Sequence, residues 1–293
     1  MKIKILIPVY NDWHSVFKLL ENINSEVSSL DHEFSVIIVN DASTEIKPEL
    51  SADLDNLNSI KIINMKENRG HARCNAAGLK YIFENEEFDY VIPMDGDGED
   101  RPEEIKNFLQ HLSNNSVRPI VGDRIKRSEN IIFKICYFFH KVITFTFAGQ
   151  SIKFGNYTCL PKLTVEKMIK EKATWSSFSG SLQKVDKNKI SSESIRGKRY
   201  FGPSKMSFIN LLKHSLSIIS VFRSNVLIRS IFFIIIYLFL IYTNISIITL
   251  TPLYMVILLN LFSFYLAKRE NMDDYNKSLD NIHNIFSEKI LSY

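Results

Sequence analysis

Asp95 and Asp97, two carboxylates one residue apart, have the spacing in this chain that points most directly to chemistry. They follow the apolar run Tyr90 to Met94 and precede Pro102, between an expected strand and an expected helix. Carboxylates placed this way can share one hard divalent cation, whose other ligands would be diphosphate oxygens and water. Glu99 could supply a further oxygen. A turn with solvated acids is the plain alternative, because Asp-x-Asp by itself is common. A calcium EF-hand loop beginning at Asp95 is excluded: its sixth position is Asp100 rather than glycine, and its twelfth is Lys106 rather than glutamate. A second group is basic. Arg199, Ser204 and Lys205 fall within seven residues just before an amphipathic stretch, where they suit a phosphate at a membrane surface. Taken singly, each is the kind of residue usually found solvated. The seven histidines, His14, His32, His71, His111, His140, His214 and His283, form no ligand-spaced set and read as structural or exposed. Cys74, Cys136 and Cys159 include no Cys-x-x-Cys pair, which fits a reducing compartment without structural zinc.

The elements that must position these groups follow from hydrophobic pattern. Ile3 to Val9 reads as a buried strand, and after Asn11-Asp12 the residues Trp13, Val16, Phe17, Leu20 and Ile23 take helical spacing. Val36 to Val39 ends in Asn40-Asp41, Ile60 to Ile63 ends at Asn64, and Tyr90 to Met94 ends at Asp95-Gly96-Asp97. Ala72 to Phe83 and Pro102 to Leu112 read as helices, the second with proline in its first turn and Glu103 and Glu104 at the positive end of its dipole. Strands alternating with helices predict a mostly parallel α/β sheet, in which ligands bind outside the carboxyl ends of the strands. Tyr10-Asn11-Asp12, Asn40-Asp41 and Asp95-Gly96-Asp97 all lie at such ends.

The 293 residues allow one full catalytic domain and an appendage. Apolar residues make up 45% of the chain, and they concentrate: from Ser230 to Ala267 there is no charge. That length is too great for one span of about 20 residues and suits two, with a turn near Thr243-Asn244. Arg223, Arg229, Lys268 and Arg269 flank it, which predicts both ends in the cytosol. Phe208, Leu211, Leu212, Ile219 and Phe222 fall on one face of a helix preceding the spans, with Asn210, Lys213, His214, Ser217 and Ser220 opposite; this is the pattern of an interfacial helix. Ile131 to Phe147 is apolar enough to be a helix on the core or the membrane and receives no function. The expected division is 1–205 catalytic domain, 206–224 amphipathic helix, 225–267 two transmembrane helices and 268–293 cytosolic tail. The net charge of +4 does not call for nucleic acid, and the N-terminus lacks the apolar length of a signal peptide.

Taken in order, Ile5 to Asp12, Ile37 to Thr44, Asn68-Arg69-Gly70 with Ala72 to Gly78, and Asp95 to Pro102 resemble the signature of family 2 inverting glycosyltransferases over about 100 residues. Arg199-Tyr200-Phe201-Gly202-Pro203-Ser204-Lys205 is similar to the Arg-x-x-Gly-x-Ser-Lys element of the polyprenyl-phosphate branch, which includes dolichyl-phosphate mannose synthases. The resemblance implies a GT-A fold, a Rossmann-like mostly parallel sheet, followed by the membrane hairpin. It also implies Pro8, Tyr10, Asn11 and Asp12 around the nucleoside of a UDP- or GDP-linked sugar, Asp41 near the base, and Asp95 and Asp97 serving metal and diphosphate. The implied metal is Mg2+ or Mn2+, with Glu99 as a further ligand. Three positions depart from the pattern: Asp12 replaces the usual Glu, Asn40-Asp41 replaces paired acids, and Glu99 replaces a frequent Gln. The Gln-x-x-Arg-Trp element of processive polysaccharide synthases is absent. For Gly70 and Gly78, close backbone packing is the preferred reading.

The acceptor determines what the protein must supply. A sugar hydroxyl needs a carboxylate base, whereas a phosphate monoester is already ionised and needs only positioning and charge stabilisation. Arg124, Arg199, Ser204 and Lys205 are the candidates for that task. The expected function is transfer from a nucleotide sugar to a polyprenyl phosphate at the cytosolic face of the inner membrane, by a multi-pass protein for which a homo-oligomer is compatible. Two alternatives stay open: a glycan hydroxyl acceptor in surface polysaccharide assembly, and a non-catalytic membrane scaffold with nucleotide-sugar affinity.

Overall fold

The computed structural model describes residues 1–49, 53–114, 117–126, 138–202 and 208–290. Along the chain these form β1 (Lys2–Val9), α1 (Trp13–Val27), β2 (Glu33–Asn40), β3 (Ser59–Met65), α2 (His71–Asn85) and β4 (Tyr90–Pro93). A 3-10 turn at Pro102–Glu104 leads into α3 (Ile105–Gln110), followed by β5 (Ile120–Lys126) and α4 (Phe138–Ala148). Next come β6 (Phe154–Pro161), α5 (Lys162–Ile169), α6 (Phe178–Val185) and β7 (Ile190–Ile195). The C-terminal third holds α7 (Phe208–Ser220), α8 (Arg223–Ile241), α9 (Ile247–Ala267), α10 (Met272–Asn276) and β8 (Ile282–Ile290).

The chain divides into two units, one of Met1–Ser128, Lys153–Lys205 and Asn271–Tyr293, the other of Glu129–Ile152 and Met206–Glu270. The first is an α/β unit around a sheet of order β7-β5-β6-β4-β1-β2-β3-β8. The central strands β4, β1, β2 and β3 run parallel, while β6 and β8 pair antiparallel with β4 and β3. In β1 and β2 every residue but the first is buried, which is why both read as unbroken apolar runs rather than alternating ones. Trp13, Val16, Leu19, Leu20, Ile23 and Val27 of α1 are buried in the same core. Gly78 of α2 faces the sheet so closely that a Cβ there would lie 2.4 Å from Leu6 Cδ1, so the packing reading holds for it. Gly70 differs. Nothing lies within 4 Å of where its Cβ would be, and its φ of +90° is what requires glycine.

Within 268–293, expected as a tail, Met272–Asn276 instead forms α10 and Ile282–Ile290 forms the edge strand β8 of this sheet. Tyr275 of α10 is fully buried, stacks on Trp175 at 5.4 Å and donates its hydroxyl to Ala76 O at 3.2 Å. Pairing with β8 covers the β3 edge and leaves β8 as the edge of the sheet.

The second unit is helical. Helices α8 and α9 are long and apolar enough to cross a membrane, with 17% of each window buried inside the protein. They form an antiparallel pair: Asn260 Nδ2 donates to Ser230 Oγ at 2.8 Å, and Arg223 at the start of α8 pairs at 2.8 Å with buried Glu270 just past the end of α9. The turn between them is set by Ser246, whose Oγ accepts the Thr249 N–H while Thr249 Oγ1 accepts the Ser246 N–H, a reciprocal cap that starts α9. In α7, Ser217 and Ser220 are buried rather than on a solvated face. Each hydroxyl bonds a carbonyl of its own helix, at Lys213 O and Ser217 O. Small, self-satisfied side chains let helices pack closely, which explains why polarity alone misplaced them. Of the apolar segment 131–147, only the part from Phe138 lies among the described residues, and it is helical as expected.

Candidate active site

The carboxyl ends of β1, β2 and β4 meet at the centre of the sheet, where β1 lies between the other two. The polar residues after each strand are thereby brought together. After β4 the chain turns through Asp95 to Asp100, stabilised from within: Asp100 Oδ2 accepts the Asp95 N–H at 2.9 Å and Asp97 Oδ1 accepts the Glu99 N–H at 2.9 Å. Gly98 has a φ of +88° and lies under the Tyr200 ring, where a Cβ would meet ring carbons at 2.5 Å. Backbone bonds from Gly197 to Glu99 O and from Tyr200 to Asp97 O strap the 196–200 segment onto this acidic turn.

Four cations answer the acids. Arg199 bridges two of them, binding Asp97 through Nη1 and Asp12 Oδ2 through Nη2, the latter at 2.9 Å. Arg196 pairs with Glu99. Arg124 on β5 reaches buried Asp100 at 3.4 Å. His71, in the first turn of α2, stands 3.3 Å from Asp95 Oδ1, and Asn156 Nδ2 donates to the same oxygen at 3.3 Å. Burial works against the Asp95 charge, but His71 and Arg124 outweigh it and hold the carboxyl well below the usual carboxylate range. Burial and the Asp95 charge push Asp97 up to about 6 and Asp100 up to about 7. For His71, burial opposes the charged form, yet the neighbouring Asp95 carries it above its ordinary value. Crowded acids of this kind have more negative charge than their surroundings readily hold.

The second part of the site lies after β1 and β2. Asn11 and Ala42 have φ of +52° and +56°, left-handed values that non-glycine residues rarely take. Asn11 N–H donates to Ser43 Oγ at 2.9 Å, and Asn11 Oδ1 accepts the N–H groups of Thr44 and Glu45 at 2.8 and 3.1 Å. Pro8 is buried at the end of β1, while Tyr10 is 45% exposed and open to a ligand. Asp41 is buried, and its two oxygens accept the N–H groups of Arg69 and Gly70 at 2.9 and 2.8 Å. It thus ties the β2 loop to the start of α2, and burial still pushes its carboxyl up despite those two donors.

The structure therefore gathers Asp12, Asp95, Asp97, Glu99, Arg124 and Arg199 in one cluster. Tyr10, Asn11 and Asp41 lie on the neighbouring strand ends. Ser204 and Lys205 lie outside the described residues. Sequence reading missed four participants: Asp100, Arg196, Asn156 and His71. Asp100 could have been found in the acidic run that holds Asp95 and Asp97. His71 directly follows the Asn68-Arg69-Gly70 motif, yet by spacing it reads with the other histidines as structural or exposed; nothing in sequence spacing announces its contact with Asp95, 24 residues on.

Among the described residues, no group of three or more His, Cys, Asp or Glu side chains stands close enough to hold a metal ion. The donors nonetheless fit one chemically. Asp95, Asp97 and Glu99 offer hard oxygens in a partly buried, charge-crowded turn. Asp97 and Glu99 now face arginines that a divalent cation would have to replace.

Comparison with known proteins agrees with this geometry. The family model described as glycosyl transferase family 2 matches residues 4–160. An undecaprenyl-phosphate 4-deoxy-4-formamido-L-arabinose transferase of Proteus mirabilis is 25% identical over 219 residues, covering 72% of this chain and 64% of the relative. A dodecaprenyl-phosphate galacturonate synthase of Rhizobium johnstonii is 22% identical, covering 58% of this chain and 50% of its own. The chain thus spans less than two thirds of the length of these curated relatives. Among solved structures, a mannosyltransferase of Pyrobaculum calidifontis in complex with GDP-Man and Mn2+ superimposes with a TM-score of 0.53 at 14% identity, covering 94% of this chain and 86% of that one. A glucosyl-3-phosphoglycerate synthase of Mycobacterium tuberculosis, with Mn2+, UDP and its product, gives a TM-score of 0.55 at 11% identity, covering 76% and 79%. These structural likenesses establish the GT-A fold.

Proposed function

Because the chain belongs to glycosyl transferase family 2, we propose that it moves a sugar from a UDP- or GDP-linked donor onto a polyprenyl phosphate, working with Mg2+ or Mn2+ at the cytosolic face of the inner membrane. The observation that carries this reading is Arg199, a single guanidinium between Asp12 after β1 and Asp97 after β4. A cation at that junction stands between the donor-side carboxylate and the metal-side carboxylate, where an anionic acceptor must approach.

Pro8, Tyr10, Asn11, Asp12 and Asp41 frame the nucleoside, with exposed Tyr10 free to lie along the base. Asp95 and Asp97, with Glu99, would hold the divalent cation, which when bound neutralises charge on the departing nucleoside diphosphate. Arg124 and Arg199, with Ser204 and Lys205, would hold the acceptor phosphate in line. A phosphate oxygen then bonds to the anomeric carbon as the bond from that carbon to the diphosphate oxygen breaks, and the electron pair leaves with the nucleoside diphosphate. The phosphate is already ionised, so no general base is needed, and the protein's contribution is positioning and electrostatics.

Three features support the membrane setting. Helices α8 and α9 have the length and composition of spans, the relatives' names specify undecaprenyl and dodecaprenyl phosphate, and the chain returns after α9 to the sheet it left before α7. That return favours an even number of crossings, so both ends of the hairpin stay on the side of the catalytic unit. The test is incubation of the purified full chain, in detergent, with a panel of UDP- and GDP-sugars and undecaprenyl phosphate, followed by mass spectrometry of the lipid fraction. A glycosylated lipid phosphate is expected. Transfer to a glycan hydroxyl with the lipid phosphate inert would replace the acceptor assignment, and no transfer from any donor despite nucleotide binding would favour a scaffold.

A further inference from the structure

The strand that follows the membrane-type helices carries a side chain that reaches the donor end of the site through other side chains. Asn40, Asn64 and Asn284 occupy matched positions on β2, β3 and β8. Their amides form a row: Asn40 Nδ2 donates to Asn64 Oδ1 at 2.8 Å, and Asn64 Nδ2 donates to Asn284 Oδ1 at 2.8 Å. At its inner end Asn40 Oδ1 accepts the Ser43 N–H at 3.0 Å, and Ser43 Oγ accepts the Asn11 N–H at 2.9 Å. All these bonds run in one sense, so each amide polarises the next. The row ends at Asn11, and Ala42 lies in the loop it pins, between Asn40 and Ser43; these are the only two described non-glycine residues with positive φ. Left-handed alanine is held only where surrounding bonds over-determine it, and such strain concentrates at functional positions. Asn40 is 9% exposed, so an unmatched amide there would carry a desolvation cost that disfavours this loop geometry.

We propose that Asn284, on the C-terminal strand, is a positioning residue for the donor nucleoside: by accepting the Asn64 amide it fixes Asn40 and so the strained Asn11 and Ala42 backbone that frames the pocket. This rests on the reading that the nucleoside binds at the ends of β1 and β2. Residue 284 needs only to accept a hydrogen bond. The inference therefore separates two substitutions: Asn284→Ala removes the acceptor, and Asn284→Asp, isosteric with asparagine, keeps it.

The experiment measures UDP and GDP affinity by calorimetry, and donor KM and kcat, on the full chain in detergent. Loss of one relayed neutral bond should raise the nucleotide Kd and donor KM of Asn284→Ala about fivefold, with kcat and the dependence on polyprenyl phosphate unchanged. Asn284→Asp should bind as the parent does. Phe286→Ala controls for strand docking, since Phe286 is on the same strand, 52% exposed and outside the row; it should leave Kd unchanged. Equal Kd increases for Phe286→Ala and Asn284→Ala, or for Asn284→Asp and Asn284→Ala, would overturn the relay in favour of general loosening of β8. An unchanged Kd for Asn284→Ala, with Asn40→Ala and Tyr10→Ala both weakened, would overturn it while leaving the donor pocket in place. If Asn40→Ala and Tyr10→Ala also bound nucleotide normally, the donor pocket itself would be wrong.

Discussion

Arg199→Ala should affect metal and acceptor in opposite directions. Arg199 holds Asp97 and Asp12, with side-chain exposures of 17% for Arg199, 17% for Asp97 and 21% for Asp12. A hydrogen bond to a charged group contributes about 1.5 to 3 kcal/mol. Partial exposure favours the lower end of that range, and of the two bonds only the one to Asp97 competes with a cation there. Removing it should therefore strengthen cation binding by about 1.5 kcal/mol, or roughly tenfold. Free Mn2+ can be followed by electron paramagnetic resonance while the full chain is titrated without donor, so the readout is independent of turnover. The same variant should lose turnover with polyprenyl phosphate by roughly ten- to a hundredfold, because a cation that would bind the acceptor is gone. Unchanged or weaker Mn2+ binding would refute the idea that Arg199 occupies the metal carboxylate. Lost donor affinity with unchanged dependence on polyprenyl phosphate would place Arg199 on the nucleotide side.

Asp97→Asn should lose turnover and Mn2+ affinity while keeping the parent's circular dichroism and melting temperature, since Asp97 is not part of the buried core; full activity in excess chelator would remove the metal from the reading. Glu86 is held by Lys4 at 2.9 Å and by Lys61, with side-chain exposures of 8%, 11% and 30%. Burial raises its carboxyl, but the two lysines outweigh burial and leave it below its ordinary value. A depressed carboxylate adds stability above its unfolded value of about 4.3, and that stability disappears as pH falls through the folded value. Glu86→Gln should accordingly lower stability at pH 7 in denaturant unfolding, with the gap closing below about pH 4; a gap independent of pH would contradict the ion-pair origin. For the hairpin, reporter fusions at residue 244 and at the C-terminus should report opposite sides of the membrane, and a matching report from both would exclude two crossings.

The parts of the fold that could be read in the sequence are those where one force dominates locally. Strands β1, β2 and β4 are buried on both faces and so appear as unbroken apolar runs ending in polar residues. The apolar helices are legible because no charge interrupts Ser230 to Ala267. Strand β8 was not legible: Ile282 to Ile290 is an edge strand whose polar residues Asn284 and Ser287 pair across the sheet, and it follows a membrane-type segment that suggests a free tail. In the site, Asp95 and Asp97 were legible because their spacing is local. The contacts of His71 with Asp95, Asn156 with Asp95 and Arg196 with Glu99 join residues 24, 61 and 97 positions apart, distances over which no periodicity carries information.

The structure departs from local rules at the site in three ways that converge. Asp12 precedes α1 at the N-cap, where its carboxylate would be worth about 1 kcal/mol to the helix, yet it makes no capping bond and turns to Arg199 instead. Ser177, Glu171, Asn271 and Ser246, at helix starts away from the site, all make theirs. Arg199 leaves its buried Nε without a partner, and Asp97 is pushed up by the charge of Asp95. All three costs meet at one carboxylate–guanidinium–carboxylate junction. An arrangement stabilised only for folding would cap α1 with Asp12 and keep the acids apart. A site that receives a divalent cation and a phosphate, as proposed, has reason to do the reverse: Asp95 and Asp97 would be relieved of their crowding by the cation, and Arg199, released from Asp97, would keep a charge for the phosphate. The local costs at this junction are then the interactions that a cation and a phosphate would replace.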